Sequence, residues 1–171
     1  MLRFAVVAAL LLANAGAAHA QAVGEKLPPE TPLGLALDGS PLTLAQSAGR
    51  PALIVFWATW CKACMKELPR IEALHRSWGE RAFVVGVSTD ARRRDVERFL
   101  RRNKGKLTLP LAHDAEEQVA RVFGVRGVPM TVLVDRDGTI RWIHTGFDGA
   151  WLDELDAALK TLAPRPDSPA A

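Results

Sequence analysis

The chain has 171 residues, of which 49% are hydrophobic and 24% are charged, a balance that is typical of one globular domain with a buried core. The formal net charge is +3, which is too small to predict a nucleic-acid partner. We therefore expect one folded domain that does not bind nucleic acid.

The N-terminus has the pattern of a secretory signal. Arg3 precedes an apolar run over residues 4–12, and Ala18-His19-Ala20 has the form of an Ala-x-Ala cleavage site. We expect residues 1–20 to be a signal peptide that directs the chain to the periplasm and is then removed. The apolar run is shorter than the ~20 residues of a membrane span. An uncleaved N-terminal anchor is the alternative.

Short elements are predicted for the region that follows the signal. Residues 21–31 read as an extended lead-in, because prolines lie in and beside this segment. Two apolar runs, residues 33–37 and 42–44, flank a turn signal and predict a β-hairpin. Residues 52–57 form a continuous apolar run of the kind that a fully buried strand shows.

The only two cysteines of the chain, Cys61 and Cys64, lie where this strand is predicted to end and a helix to begin. A helix that starts near Cys61 places this sulfur among unpaired N–H groups at the positive end of the helix dipole, which favours the nucleophilic thiolate. Lys62 adds a cation beside it. Cys64 follows about one turn later, so its sulfur lies close to that of Cys61. The pattern predicts a reversible disulfide.

Export leaves two interpretations of this pair. In an oxidising compartment the two cysteines remain bonded unless a donor reduces them, so they form either a small structural disulfide or a redox centre. A bridge that closes so short a loop adds little stability. The position at a helix start therefore favours the redox centre, with Cys61 as nucleophile and Cys64 as resolving thiol.

Strands and helices alternate through the rest of the chain. After the cysteine helix we predict a buried strand over residues 82–87, a helix over 92–103, a short strand over 107–111, a helix over 115–123, and a hairpin of strands over 130–134 and 139–143. Asp148 is expected to cap a last helix, and residues 164–171 are expected to form a disordered tail. This order predicts an α/β domain over residues 32–163, with a mixed central sheet flanked by helices.

Two motifs together resemble the thioredoxin fold. The first is Trp-Cys-x-x-Cys after an apolar strand, and the second is Gly127-Val128-Pro129 before an apolar hairpin. Residues 61–69 also match the Cys-x-x-Cys-x-x-Glu-x-Pro pattern of the TlpA/ResA-like thiol:disulfide oxidoreductases. This resemblance implies a thioredoxin fold with an N-terminal β-hairpin extension and no bound organic cofactor. It also implies an exported reductase, commonly one for cytochrome c maturation. A zinc site is not expected, because no second Cys or His pair has metal-ligand spacing.

The same resemblance implies roles for other residues. The Val128–Pro129 peptide would be cis and would lie beside the cysteines, offering backbone groups to an extended substrate; a trans proline is the alternative. Glu67 would exchange protons with Cys64, and a surface glutamate is the alternative. Val55 stands where thioredoxins bury an aspartate, which favours Glu67 as the proton relay. The residues expected to bind substrate are Trp60, Lys62, Ala63, Val128 and Pro129.

We expect a monomeric disulfide reductase for a protein substrate such as apocytochrome c or a copper-site protein, with a membrane or periplasmic reductase as its electron donor. The alternatives are a disulfide oxidant or isomerase, and a Cu(I) metallochaperone that adds Met65 or Met130 to the two thiolates. A peroxidase is not expected. Ile54 and Ala58 occupy the proline and threonine places of the Pro-x-x-x-Thr-x-x-Cys pattern of peroxiredoxins.

Overall fold

The computed structural model describes residues 22–148 and 151–162. The predicted signal peptide and the predicted disordered tail lie outside these residues and stay predictions. Seven strands from this part of the chain form one sheet: β1 Pro32–Ala36, β2 Pro41–Thr43, β3 Ala52–Trp57, β4 Phe83–Ser88, β5 Leu111–His113, β6 Met130–Val134 and β7 Ile140–Thr145. The α-helices of the described ranges are α1 Lys62–Trp78, α2 Arg93–Arg102, α3 Gln118–Val122 and α4 Trp151–Leu162. None of them combines the length and the apolar character that crossing a bilayer requires.

The sheet is mixed, and its strand order is β2-β1-β5-β4-β3-β6-β7. Strand β4 lies between β3 and β5 and is parallel to both, whereas β6 is antiparallel to β3 and β7. Strands β1 and β2 form the predicted N-terminal hairpin, which joins the sheet through β5. The strand that leads into the cysteines is therefore central, and its carboxyl end lies beside the start of β6.

Apolar side chains cover both faces of the sheet, because β3, β4 and β6 are largely apolar strands that are buried throughout. One face packs against α1, α2 and α4, through buried residues such as Ile71, Val96 and Leu155. The other face packs against α3 and against the lead-in, in which Leu27 is 2% exposed. The predicted α/β domain with helices on both sides of a mixed sheet is confirmed.

Two predicted elements differ from the structure. The strand predicted over 107–111 is wrong, because β5 begins only at Leu111. The N–H groups of Thr108 and Leu109 donate to the carboxylate of Glu72 on α1, and Pro110 has no N–H, so this segment cannot pair as a strand. The helix predicted over 115–123 is shorter, because Glu117 adopts a left-handed conformation with a φ of 52° and α3 starts after it.

Candidate active site

The first turn of α1 is built around the sulfur of Cys61. Cys61 is the N-cap residue of α1, and the backbone N–H of Cys64 donates to its Sγ at 3.0 Å. This sulfur thus takes the place that a serine or aspartate oxygen usually fills at a helix start. Cys61 and Cys64 form a disulfide, as the spacing of the two residues predicts. A thiolate at Cys61 would accept the same N–H as a stronger, charge-assisted hydrogen bond.

The two sulfur-bearing residues differ in their access to solvent. Cys61 is 6% exposed, whereas Cys64 is fully buried between α1 and the sheet. Trp60 precedes the pair with 71% of its surface exposed, and Lys62 is also exposed. A partner molecule can therefore reach the edge of Cys61 beside an apolar indole ring, but it cannot reach Cys64.

The segment before β6 lies against this pair although it is more than sixty residues away in the sequence. The Val128–Pro129 peptide bond is cis, as the resemblance implies. The carbonyl oxygen of Val128 lies 3.5 Å from Sγ of Cys61, and Pro129 is buried. The contact follows from the pairing of Phe56 with Met130, which brings the end of β3 to the start of β6. Of the five predicted substrate-binding residues, Lys62 and Ala63 lie between the two cysteines in the sequence, and the structure places the other three, Trp60, Val128 and Pro129, at the flanks of the pair.

Glu67 is buried on α1, one turn after Cys64, with an exposure of 1%. The Thr131 hydroxyl donates to Oε1 of Glu67 at 3.1 Å, and Oε2 is buried without a hydrogen-bond partner among the described residues. Burial raises the pKa of Glu67 to about 7, although the Thr131 hydrogen bond opposes this shift. The alternative of a surface glutamate is therefore wrong.

Thr131 is the residue of this site that the sequence analysis missed. It is 1% exposed and lies opposite Val55 in the β3–β6 pairing. Glu67 thus brings a carboxyl group from the helix to the strand position beside Val55, where thioredoxins carry an aspartate on the strand itself. The only sequence signal for Thr131 is a polar residue inside an otherwise apolar strand.

The Glu67→Gln variant should lose the inflection near pH 7 in the pH dependence of disulfide exchange, because glutamine cannot accept or release a proton. The variant should also change how stability depends on pH. The raised pKa means that native Glu67 keeps its proton while the unfolded chain, with a pKa of 4.5, loses it. Wild-type stability should therefore fall between pH 4.5 and about 7, by up to about 3 kcal/mol, and the variant should lack this loss.

Urea unfolding at several pH values and stopped-flow exchange kinetics measure these two effects separately. Glu154 is an exposed carboxylate on α4, so Glu154→Gln is the matched control and should leave both profiles unchanged. A Glu67→Gln variant whose exchange profile equals that of the wild type would remove Glu67 from the chemistry.

The described residues include two methionines that the copper alternative would use. Met65 is half-buried beside Cys64, and Met130 is 6% exposed at the start of β6. Over residues 22–148 and 151–162, no group of three or more His, Cys, Asp or Glu residues could hold a metal ion.

The sequence of this chain is similar to that of known proteins. The AhpC/TSA family model matches residues 23–143. The ResA thiol-disulfide oxidoreductase of Oceanobacillus iheyensis is 30% identical over 130 residues, which are 75% of this chain. The match covers 66% of that relative, so the chain spans slightly less than two thirds of its length.

Solved structures give similar matches. A candidate thiol:disulfide interchange protein DsbE from Chlorobium tepidum has a TM-score of 0.75 and 26% identity, and the match covers 84% of this chain and 99% of that one. A secreted Mycobacterium tuberculosis disulfide oxidoreductase, described as homologous to E. coli DsbE, has a TM-score of 0.66 and 25% identity, with coverage of 78% and 96%.

Proposed function

Because this chain belongs to the AhpC/TSA family and, in the thioredoxin-like superfamily, to the TlpA/ResA-like thiol:disulfide oxidoreductases, we propose that it is an exported disulfide reductase for protein substrates. The resemblance to the TlpA/ResA-like thiol:disulfide oxidoreductases and the thioredoxin fold, both expected from the sequence, are confirmed. The direction of electron flow, the substrate and the compartment belong to the proposal.

The observation that carries the proposal is the unequal access to the two sulfurs of one disulfide. Cys61 meets the surface at the start of α1, and Cys64 is fully buried behind it. A structural disulfide has no need of this asymmetry, whereas an exchange reaction needs one sulfur that meets the partner and one that waits inside. The unequal access supports Cys61 as the nucleophile and Cys64 as the resolving thiol.

The reduced protein would act in two steps. The Cys61 thiolate attacks one sulfur of a substrate disulfide, a mixed disulfide forms, and the other substrate sulfur leaves as a thiolate. Cys64 then loses its proton and attacks Sγ of Cys61, which releases the second substrate sulfur. The substrate gains two electrons and two protons, and Cys61–Cys64 ends as a disulfide.

Glu67 would accept the proton of Cys64 in the second step. Glu67 lies one helical turn after Cys64, and both side chains are buried. Burial raises the pKa of Glu67 to about 7. An acid with a pKa near the working pH can both take up and return a proton. Thr131 would position the carboxyl group through its hydrogen bond to Oε1.

Substrate would bind across the cysteines and the cis-proline segment. Trp60 offers an exposed apolar ring, and the backbone around Val128 lies beside Cys61. An extended chain that contains the target cysteine can lie along this edge and pair with backbone groups. The family resemblance suggests apocytochrome c or a copper-site protein as the substrate.

An exported disulfide reductase needs a partner that returns its cysteines to the dithiol form. The sequence predicts a signal peptide, and one solved relative is described as secreted. In an oxidising compartment the pair can act as a reductant only if an electron donor returns it to the dithiol form. A measured reduction potential near about −120 mV, that of a strong oxidant, would contradict the reductase and support the oxidant alternative.

The Cys64→Ala variant should trap substrates as stable mixed disulfides, because Cys61 can still attack but no resolving thiol remains. Expression of the tagged variant in the native cell, followed by non-reducing electrophoresis and mass spectrometry, measures the adducts. We expect proteins that carry a cysteine pair, each released by dithiothreitol.

The Cys61→Ala/Cys64→Ala double variant is the matched control, since it lacks both sulfurs and should give no adduct. A Cys64→Ala variant that forms no adducts, in a cell where the wild-type pair cycles between dithiol and disulfide, would contradict a protein substrate. A wild-type pair that stays permanently oxidised would contradict the redox function itself.

A further inference from the structure

The loop between β3 and α1, residues 58–60, carries Trp60 and leads directly into Cys61. It is a turn closed by the N–H of Cys61, which donates to the carbonyl oxygen of Ala58 at 3.1 Å. Trp60 at its tip is 71% exposed, so packing alone holds little of it in place. Some other contact must fix a loop that has to present both an indole ring and a nucleophile.

A single carboxylate holds this loop. Oδ2 of Asp90 accepts the backbone N–H of Thr59 at 2.9 Å, and Oδ1 accepts the Thr59 hydroxyl at 2.6 Å. Both donors of one loop residue are thus bound by the two oxygens of one side chain. Hydrogen bonds to an ionised acceptor are about twice as strong as those between neutral groups.

Asp90 is itself fixed in the fold. It is 3% exposed and follows β4, and the Ser88 hydroxyl donates to its Oδ2 at 2.8 Å. The backbone N–H of Asp90 donates in turn to Oγ of Ser88 at 3.1 Å. Nε2 of His113, at the end of β5, lies 2.7 Å from the Asp90 carbonyl oxygen, a distance at which a protonated Nε2 donates. The loop is therefore tied to the carboxyl ends of two neighbouring parallel strands.

We propose that Asp90 is a positioning residue for disulfide exchange, which holds Thr59 so that Trp60 and Cys61 are presented to a protein substrate in one arrangement. The proposal rests on the proposed function, because it assigns the loop a role in that reaction. A fixed loop lowers the entropy cost of reaching the attack geometry, and a displacement of about 1 Å can cost about a hundredfold in rate. Asparagine keeps the size of the side chain but not its negative charge, so the hydrogen bonds to Thr59 lose their charge-assisted strength, and alanine removes both acceptors.

The test compares the Asp90→Asn and Thr59→Val variants with the wild type. We expect Asp90→Asn to lower kcat/KM for insulin reduction by about ten- to a hundredfold, and Thr59→Val to lower it by a few-fold, because the second change removes only the hydroxyl donor. In the double variant Thr59→Val should add little to the effect of Asp90→Asn, since the two residues share one interaction. Alkylation of reduced Cys61 by iodoacetamide should change far less, because this small probe needs no docking on Trp60.

The control is Asp114→Asn. Asp114 is a second buried carboxylate at 5% exposure, and it accepts the N–H of Ala120 rather than a donor of the active-site loop. The Asp114→Asn variant should lower the melting temperature about as much as Asp90→Asn does, and it should leave insulin reduction unchanged. An Asp90→Asn variant that reduces insulin at the wild-type rate would overturn the proposal. The proposal would also be overturned if Asp90→Asn and Asp114→Asn lost equal activity. Full additivity of the Asp90→Asn and Thr59→Val effects in the double variant would overturn it as well.

Amide hydrogen exchange separates this inference from the proposed function. The Thr59 amide should exchange much faster in Asp90→Ala than in the wild type, because alanine leaves this N–H without its acceptor, and the measurement needs no enzymatic activity. A wild-type protein that cannot reduce insulin would contradict the proposed function and, with it, the catalytic role of the loop. An unchanged exchange rate of the Thr59 amide in Asp90→Ala would overturn the positioning role alone.

Discussion

Replacing Cys61 with serine is expected to abolish disulfide exchange, with a loss in rate of at least about three orders of magnitude. Serine offers a hydroxyl that does not ionise at neutral pH, so the nucleophile is lost. Cys64 cannot take over, because it is fully buried and no partner sulfur can reach it. Insulin reduction by the reduced protein, followed by turbidity, measures the effect.

The Cys64→Ser variant is the matched control for this change. Both Cys61→Ser and Cys64→Ser remove the disulfide, so the unfolded chain loses the same cross-link in each variant. The Cys64→Ser variant should still form a mixed disulfide with substrate but should not complete the cycle. A Cys61→Ser variant that keeps exchange activity, or a Cys64→Ser variant that forms no adduct, would reverse or refute the assignment of the two sulfurs.

The Glu72→Gln variant is expected to lose about 3 kcal/mol of stability at neutral pH. Burial raises the pKa of Glu72, but hydrogen bonds from Thr108, Arg76 and Leu109 outweigh it and lower the pKa to about 2. The carboxylate is 4% exposed and accepts the Thr108 hydroxyl at 2.5 Å, the Thr108 N–H at 2.8 Å and the Arg76 Nε–H at 2.6 Å. Glutamine cannot accept all of these donors.

The sign of the pH dependence follows from the lowered pKa. The unfolded chain has a pKa of 4.5 at this position, so the stabilisation is present above pH 4.5 and is lost as the pH falls toward 2. Urea unfolding should show a steeper acid loss in the wild type than in Glu72→Gln. The exposed Glu154→Gln variant should differ from the wild type by less than about 0.5 kcal/mol. Equal stability of Glu72→Gln and the wild type at neutral pH would contradict the assignment.

The sequence could predict the features that depend on neighbouring residues. The strand over residues 52–57, the helix start at Cys61 and the disulfide all follow from local pattern, and the structure confirms them. The cis peptide before Pro129 came from the family resemblance and is present.

The contacts that complete the site were not predictable in the same way. Glu67 meets Thr131, and Asp90 meets Thr59, across 64 and 31 positions of the chain, and only the strand order brings each pair together. A similar long-range contact explains the wrong strand at 107–111, because Glu72 takes the N–H groups that a strand would need. In the sequence, the family pattern singles out Glu67, whereas Asp90 and Glu72 look like ordinary surface residues.

The position of Glu67 on the helix, rather than on the strand, fixes its distance from the two sulfurs. Cys61, Cys64 and Glu67 are separated by one turn each at the start of the same α-helix, so the helical rise sets their spacing. If α1 moved relative to the sheet, the sulfurs and the carboxyl group would move together, and the hydrogen bond between Glu67 and Thr131, which joins helix and strand, would have to change. An acid attached to the strand would instead lose its distance to the thiol with every such movement.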